Sequence, residues 1–433
     1  MRKSFLYLSL CINCILFSQT YSPLDTTDYK QREELLKTVE SQLEEIKKNI
    51  KKEYKGDLRK EIDLSYTEIF ELIENKVEDK EIVFNQEFSD YINAITDEIV
   101  TSNSNAISNK SIKAYITKHN SPNALSAGNG YIFLNMGLFK YLKNEAQLAS
   151  VLCHEMAHDI LEHSKNSIIN SAEQETSDEK KSLAKKIRRT KYNRSTEAFG
   201  AFKKILYADK KKNRKQEVEA DSLGFILFKN TKYNPKSFLN ALVRLSEIDS
   251  LPNIELKKET YQTFFNVDNQ PFNEEWMKME DFNAYNYNHY QKKINEDSIR
   301  SHPEIFDRID FVKKRFNEDL EKTNDFTNTE TYKELKKIAS YEDVMNLFYA
   351  KQYGLSTYLT LFRLEKKPED KYYKKVLGKN FTEIYKAKKG YKLNKYVEQL
   401  NPNKQEESYV QFLNFMWNLR LEEIKNIADY YSK

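Results

Sequence analysis

Glycine and proline are scarce in this chain, 9 and 8 residues among 433. That scarcity excludes a strand-and-turn-rich sandwich, whose many tight reversals draw on those two residues, and favours long helices. Cysteine is scarcer still, with Cys11, Cys14 and Cys153 alone. The first two sit in a leader-like segment, so the processed chain keeps one thiol and forms no internal disulfide. Beyond that leader no run approaches 18 consecutive apolar residues, so a processed chain without membrane spans, soluble in water, is expected. A surplus of one charge is also missing. Seventy basic residues face 66 acidic ones, a net charge of +4, which argues against nucleic acid as a partner because such a domain carries a clearly basic face.

What is present starts with the leader itself. Arg2 and Lys3 precede a mostly apolar stretch from Phe5 to Phe17, and Ser18-Gln19 offers a small residue at a cleavage point. Residues 1–18 therefore read as an export signal, directing the chain to the periplasm or envelope of a Gram-negative bacterium, with peripheral association with envelope components as a further expectation. A lipid anchor on Cys11 or Cys14 is the weaker reading, because neither follows the small residue such a site wants. The full chain is 39% hydrophobic, 31% charged and 13% aromatic. That is too aromatic for a disordered protein, and long enough for two structural units.

Along the chain, residues 19–65 read as an N-terminal charged helix packing on the main domain. Within 28–62, Leu35, Leu36, Val39, Leu43, Ile46 and Ile50 recur at helical spacing. Phe88 to Val100 has helical spacing, and Ser111 to Thr117 alternates like a strand. Asn123 to Asn135 reads as a hairpin about Asn129-Gly130, since both central positions of that turn need positive φ. Leu138 to His163 predicts two helices or one bent helix, with Asn144 as the N-cap of the second. Residues 164–215 read as a polar, basic insertion, with Lys180-Lys181, Lys185 to Arg189 and Lys210 to Lys215 on a solvated face. A further helix begins near Glu217, 250–300 reads as loops, and helical spacing resumes at Pro303. The stretch 326–433 reads as an all-helical unit of stacked hairpins with a weak tetratricopeptide-like character, after a domain spanning 66–325. The fold class is thus α+β and predominantly helical, with a small antiparallel sheet.

The segment that carries chemistry is His154-Glu155-Met-Ala-His158. Residues four apart in a helix lie one turn above each other, so the two imidazoles can grip one zinc ion while Glu155 lies beside them. Only six histidines occur in the chain, and three fall between 154 and 163. A catalytic zinc needs a third protein ligand and an open fourth position. Glu217-Val-Glu219-Ala-Asp221 supplies candidates: Glu217 and Asp221 share a face, and Glu219 points elsewhere. An acidic helix start facing the macrodipole is the plainer reading of that stretch. His163 is an alternative third ligand, but it lies nearly half a turn off the shared face, which suits a structural or supporting role better. Ser301-His302-Pro303 by itself is a helix start with Pro303 at the first helical position.

Four blocks together resemble a metallopeptidase family. They are the strand segment Asn123 to Asn135, Gly137-Leu138 leading into Glu145 to His163, the Glu217-x-x-x-Asp221 pair, and Ser301-His302-Pro303 followed by Arg308. The family includes the CAAX prenyl proteases, the membrane HtpX-type heat-shock proteases and the periplasmic chaperone-proteases, and the resemblance covers roughly residues 70–320. It implies a zincin-like domain with His154, His158 and Glu217 as ligands of one zinc ion, Glu155 as general base and Asp221 orienting a ligand histidine. His302 and Arg308 would lie near the cleft, binding substrate or the tetrahedral oxyanion. The strand holding Tyr131, Ile132 and Phe133 would act as an edge that pairs with extended polypeptide substrate. Two departures stand out. The transmembrane helices of the membrane branches are missing, and Ser126-Ala-Gly-Asn-Gly130 replaces a Pro-Gly-Gly-like turn. The expected activity is that of a zinc metalloendopeptidase acting on exported or misfolded envelope proteins. The rival is a chaperone-like, peptide-binding protein whose zinc site is latent or plugged.

Overall fold

The computed structural model describes residues 21–107, 110–178, 214–248, 254–279, 305–321, 329–402 and 405–433. The leader 1–18, His302 and the basic runs Lys180-Lys181 and Lys185 to Arg189 lie outside those residues. Four short strands make one sheet: β1 (Ile82–Val83), β2 (Lys113–Thr117), β3 (Ala124–Gly128) and β4 (Tyr131–Asn135), in the order β1-β2-β4-β3. The β3–β4 hairpin turns at Asn129 and Gly130, with φ of 53° and 82°. A Cβ on Gly130 would lie 1.9 Å from the Ser111 carbonyl oxygen, so no other residue fits there.

Two expectations are corrected by this topology. The sheet is mixed rather than antiparallel, because β4 inserts between β3 and β2 and so runs parallel to β2, with Lys113 opposite Tyr131 and Thr117 opposite Asn135. For the same reason β4 is no edge. Tyr131, Ile132 and Phe133 are 1%, 0% and 2% exposed and cannot offer side chains or a free backbone edge to a substrate. Ile132 and Leu134 enter one core and Tyr131 and Phe133 the other, as the twofold alternation of a strand requires. Among the described residues the edge strands are β1 and β3, and β3 is the edge beside β4.

Helices cover both sheet faces. On one side lie α1 (Tyr29–Glu53) and α2 (Gly56–Glu78). The charged stretch read as a single helix is therefore two, broken at Tyr54-Lys55, where Gly56 takes a φ of 63°. Buried Arg32 ties α1 down by donating to the carbonyl oxygens of Val77 and Ile82 at 3.0 and 2.9 Å. The other face packs on α3 (Gln86–Ser102), α4 (Gly137–Tyr141) and α5 (Glu145–Ile160). Next in the chain, α6 (His163–Thr176) packs with α2, so the first part of the presumed insertion is an ordered helix. A helix over 214–229, α7, and α8 (Lys236–Ser246) complete this layer.

A second core gathers the C-terminal helices. Of the segment read as loops, α9 (Lys258–Phe265) and a 3-10 turn at Glu274–Met277 bury Tyr261, Phe265 and Trp276 there. Phe265 and Phe415 pack with ring centroids 4.7 Å apart and their planes tilted by 34°. Each such side chain contributes about 1.5–3 kcal/mol by leaving water, so this segment belongs energetically to the C-terminal unit although it precedes α10 (Ile305–Arg315) in the chain. The division at 325 is therefore not a clean boundary. The long helix α11 (Thr329–Tyr349) joins the halves, placing Tyr332, Leu335 and Ala339 in the first core and Val344 and Met345 in the second. It is followed by α12 (Tyr353–Lys366), α13 (Lys371–Lys389), α14 (Glu407–Asn418) and α15 (Leu421–Tyr431).

Candidate metal centre and active site

Helix α5 carries the motif. The Asn144 side chain accepts from the Gln147 N–H at 3.0 Å, satisfying one of the free donors of the first turn. One side of α5, with Leu148, Leu152 and Met156, is anchored in the first core. His154, Glu155 and His158 face a cleft of about 220 Å³ instead. After Ile160 the chain reverses through Glu162, whose φ is 54°, and this brings His163 back beside His158. Asp159 holds the hairpin against α5, accepting from the Gly130 N–H at 2.9 Å. Helix α7 crosses closely because a Cβ at Gly224 would meet the His154 Cα at 3.0 Å. That approach delivers Glu217 and Asp221.

The distances define the centre. His154 Nε2 and His158 Nε2 are 3.1 Å apart, and Glu217 oxygens lie 3.5 and 3.6 Å from them. A tetrahedral ion with bonds of about 2.0–2.1 Å needs ligand atoms about 3.3–3.4 Å from one another, so the three donors already stand near the corners of such a site. Their chemistry agrees. Asp221 Oδ1 lies 2.9 Å from His154 Nδ1, which keeps the proton on that nitrogen and turns the Nε2 lone pair toward the common point. His154, His158 and Glu217 thus form a group able to hold a metal ion. His163 does not join it, since its Nδ1 meets His158 Nδ1 at 2.9 Å.

Charge is arranged around the same point. Burial pushes the Glu155 carboxyl above its ordinary range; His154 opposes the rise and Glu217 adds to it. Burial and the neighbouring His154 lower His158 to about 3, so it is a neutral donor. At His154, burial and Arg308 favour the neutral ring, but hydrogen bonds to Asp221 and Glu217 prevail and raise it to about 9. A metal ion bound there has to displace that proton. Asp221 is desolvated, yet Arg308 and His154 hold it down at about 2.

Arg308, from α10, lines the cleft. Its Nε and Nη2 donate to the two Asp221 oxygens at 2.7 and 2.6 Å, and Nη1 is 3.4 Å from Glu217. Two of its edges are thus committed to ligand support. The cleft also has features not expected from sequence. Phe238, Ala241, Leu242 and Leu245 of α8 form an apolar wall, and their i, i+3, i+4, i+7 spacing was the available signal. Ala124, Leu125 and Ser126 of β3 line the cleft opposite, and the Ser126 backbone hydrogen-bonds Glu155.

The family model for peptidase family M48 matches residues 88–316, more than half of the chain. The chain belongs to peptidase family M48. The M48 span runs from α3 through α10, taking in the sheet from β2 onward and every group of the centre, while α1, α2 and the helices after α10 lie outside it. Membership makes the protein a peptidase, and the His154–His158–Glu217 cluster fits a metal-dependent one. No curated protein matches the chain.

Proposed function

We propose that the protein is a zinc-dependent endopeptidase that cleaves exported or misfolded envelope polypeptides, and that residues 1–18 direct it there. The carrying observation is the convergence of two imidazole nitrogens and a carboxylate beside Glu155 in an open cleft. Two histidines, a glutamate and a free fourth position suit zinc among the common ions, and zinc supplies a Lewis acid that lowers the pKa of a bound water to about 7. Glu155 takes the proton of the attacking water at its carboxylate and passes it to the departing amine. Its raised pKa brings it closer to the working pH, where a general base is most effective.

Substrate binding falls to other parts of the cleft. An extended polypeptide adds to the outer edge of β3, whose Leu125 is 44% exposed, through backbone hydrogen bonds that read shape more than sequence. The α8 wall accepts an apolar side chain, of the kind that misfolded proteins expose. Cleavage of an unfolded model protein by wild type and Glu155→Gln tests this reading. A loss of about 10²–10⁴-fold in the variant, with zinc content and thermal unfolding unchanged, is expected. Equal cleavage by both proteins would reject it. Loss of cleavage with undiminished holding of unfolded clients would add the chaperone-like role.

A further inference from the structure

The two ligand imidazoles are held differently. His154 gives its Nδ1 proton directly to a carboxylate, Asp221, at 2.9 Å. Among the described residues the partner at His158 Nδ1 is no carboxylate. It is a third imidazole, His163 Nδ1, at 2.9 Å, with the two rings at 74° and their centroids 4.9 Å apart. The far nitrogen of His163, Nε2, lies 3.3 Å from Glu219 Oε2. His163 is 6% exposed and bridges two helices, while Glu219 is 43% exposed and also pairs with Lys215 at 3.4 Å.

Only one direction of hydrogen bonding satisfies this chain of contacts. A ligating His158 presents a lone pair at Nε2, so its proton is on Nδ1 and His163 Nδ1 accepts it. The His163 proton is then on Nε2, where Glu219 accepts it. In the opposite direction, His158 would carry its proton on Nε2, aimed at the metal point, and His163 Nε2 would set a lone pair against the Glu219 carboxylate. The carboxylate therefore selects the tautomer of His163, and through it that of His158.

We propose that His163 is a positioning residue for the metal ligand His158, and that His163 and Glu219 form a two-step relay doing for His158 what Asp221 does for His154. The inference rests on the metal-centre reading above. It assigns His163 a function in metal retention, acting through His158 and outside the ligand set.

The test is zinc affinity of the purified protein, measured by competition with a chromophoric chelator, alongside thermal unfolding of the metal-free proteins and the visible spectrum of the cobalt forms. His163→Leu is expected to weaken zinc about 10–100-fold and to alter the cobalt spectrum, with metal-free unfolding close to wild type. His163→Gln, whose amide can both accept and donate, should recover most of that affinity. A His163→Leu variant that folds and binds zinc like wild type would overturn the relay. If His163→Leu fails to fold, Glu219→Ala, which removes the acceptor altogether, decides: a weakening of about threefold or more supports the relay, and unchanged affinity overturns it. Failure of wild type itself to bind zinc would reject the metal-centre reading instead, an outcome distinct from either.

Discussion

Asp221 and Asp343 are both fully buried carboxylates held by two basic partners, yet they sit in different surroundings. Asp221 meets His154 and Arg308 at the wall of the cleft. Asp343, on α11, meets Lys140 at 2.8 Å and Arg363, while its own carbonyl accepts from the Asn120 side chain at 2.6 Å. At Asp343 all three partners point inward and close the joint between the two halves of the molecule. At Asp221 one partner, His154, turns its second nitrogen outward to a point shared with His158 and Glu217. Burial of charge is common to both clusters. What marks a working site is ligand atoms converging on one point in an open cleft, and of the two clusters it is the Asp221 one that presents them.

Breaking each cluster separates the roles. Asp343→Asn strands Lys140 and Arg363 beside a neutral group and should cost about 3 kcal/mol of stability, read by urea unfolding, with zinc affinity unchanged. Asp221→Asn should weaken zinc about 10–100-fold, read by chelator competition, because an uncharged amide holds the His154 tautomer less firmly than the carboxylate and sets its NH2 against the Arg308 donors. If Asp343→Asn instead emptied the site, or Asp221→Asn left zinc affinity intact, the comparison would be wrong.

A third carboxylate sharpens it from the exposed side. Glu81, about one-third exposed, accepts from His119 at 3.1 Å and from Lys76 at 2.8 Å, and these bonds, the His119 one first, bring it from 4.5 down to about 2 despite partial burial. A carboxyl held lower in the folded state stabilises above its unfolded pKa. Its contribution is thus complete above about pH 4.5 and is lost as pH falls through about 2. Solvent screening keeps it small, and Glu81→Gln should cost about 1 kcal/mol at pH 7. The measurement is the difference in unfolding free energy between wild type and variant at pH 7 and near pH 2, where it should vanish.

The centre was legible in sequence wherever it depends on one helix. His154, Glu155 and His158 follow from a four-residue spacing, Asn144 from capping chemistry, and Glu217 with Asp221 from the same one-turn rule. The Asn129-Gly130 hairpin was legible because few residues adopt positive φ. What depended on pairing across the chain was not. Strand order is decided by which faces are buried, and β4 lies inside the sheet rather than at its edge, as suits Tyr-Ile-Phe-Leu, apolar at every position, the mark of a strand covered on both faces. The mixed pattern of Ala-Leu-Ser-Ala-Gly in β3 suits a partly open edge better. The His163–Glu219 contact joins residues 56 positions apart and follows from the crossing of α6 and α7, which no local spacing records. The helix at Lys258–Phe265 was hidden by its length, too short for its Tyr261, Phe264 and Phe265 to establish a period.

The central claim is that His154, His158 and Glu217 hold one zinc ion. Its most direct test is the zinc content of the purified protein, wild type beside Glu217→Ala. Near-equimolar zinc in wild type that falls in Glu217→Ala, with the fold retained, is the predicted result. A wild-type protein that takes up no zinc even after reconstitution would contradict it.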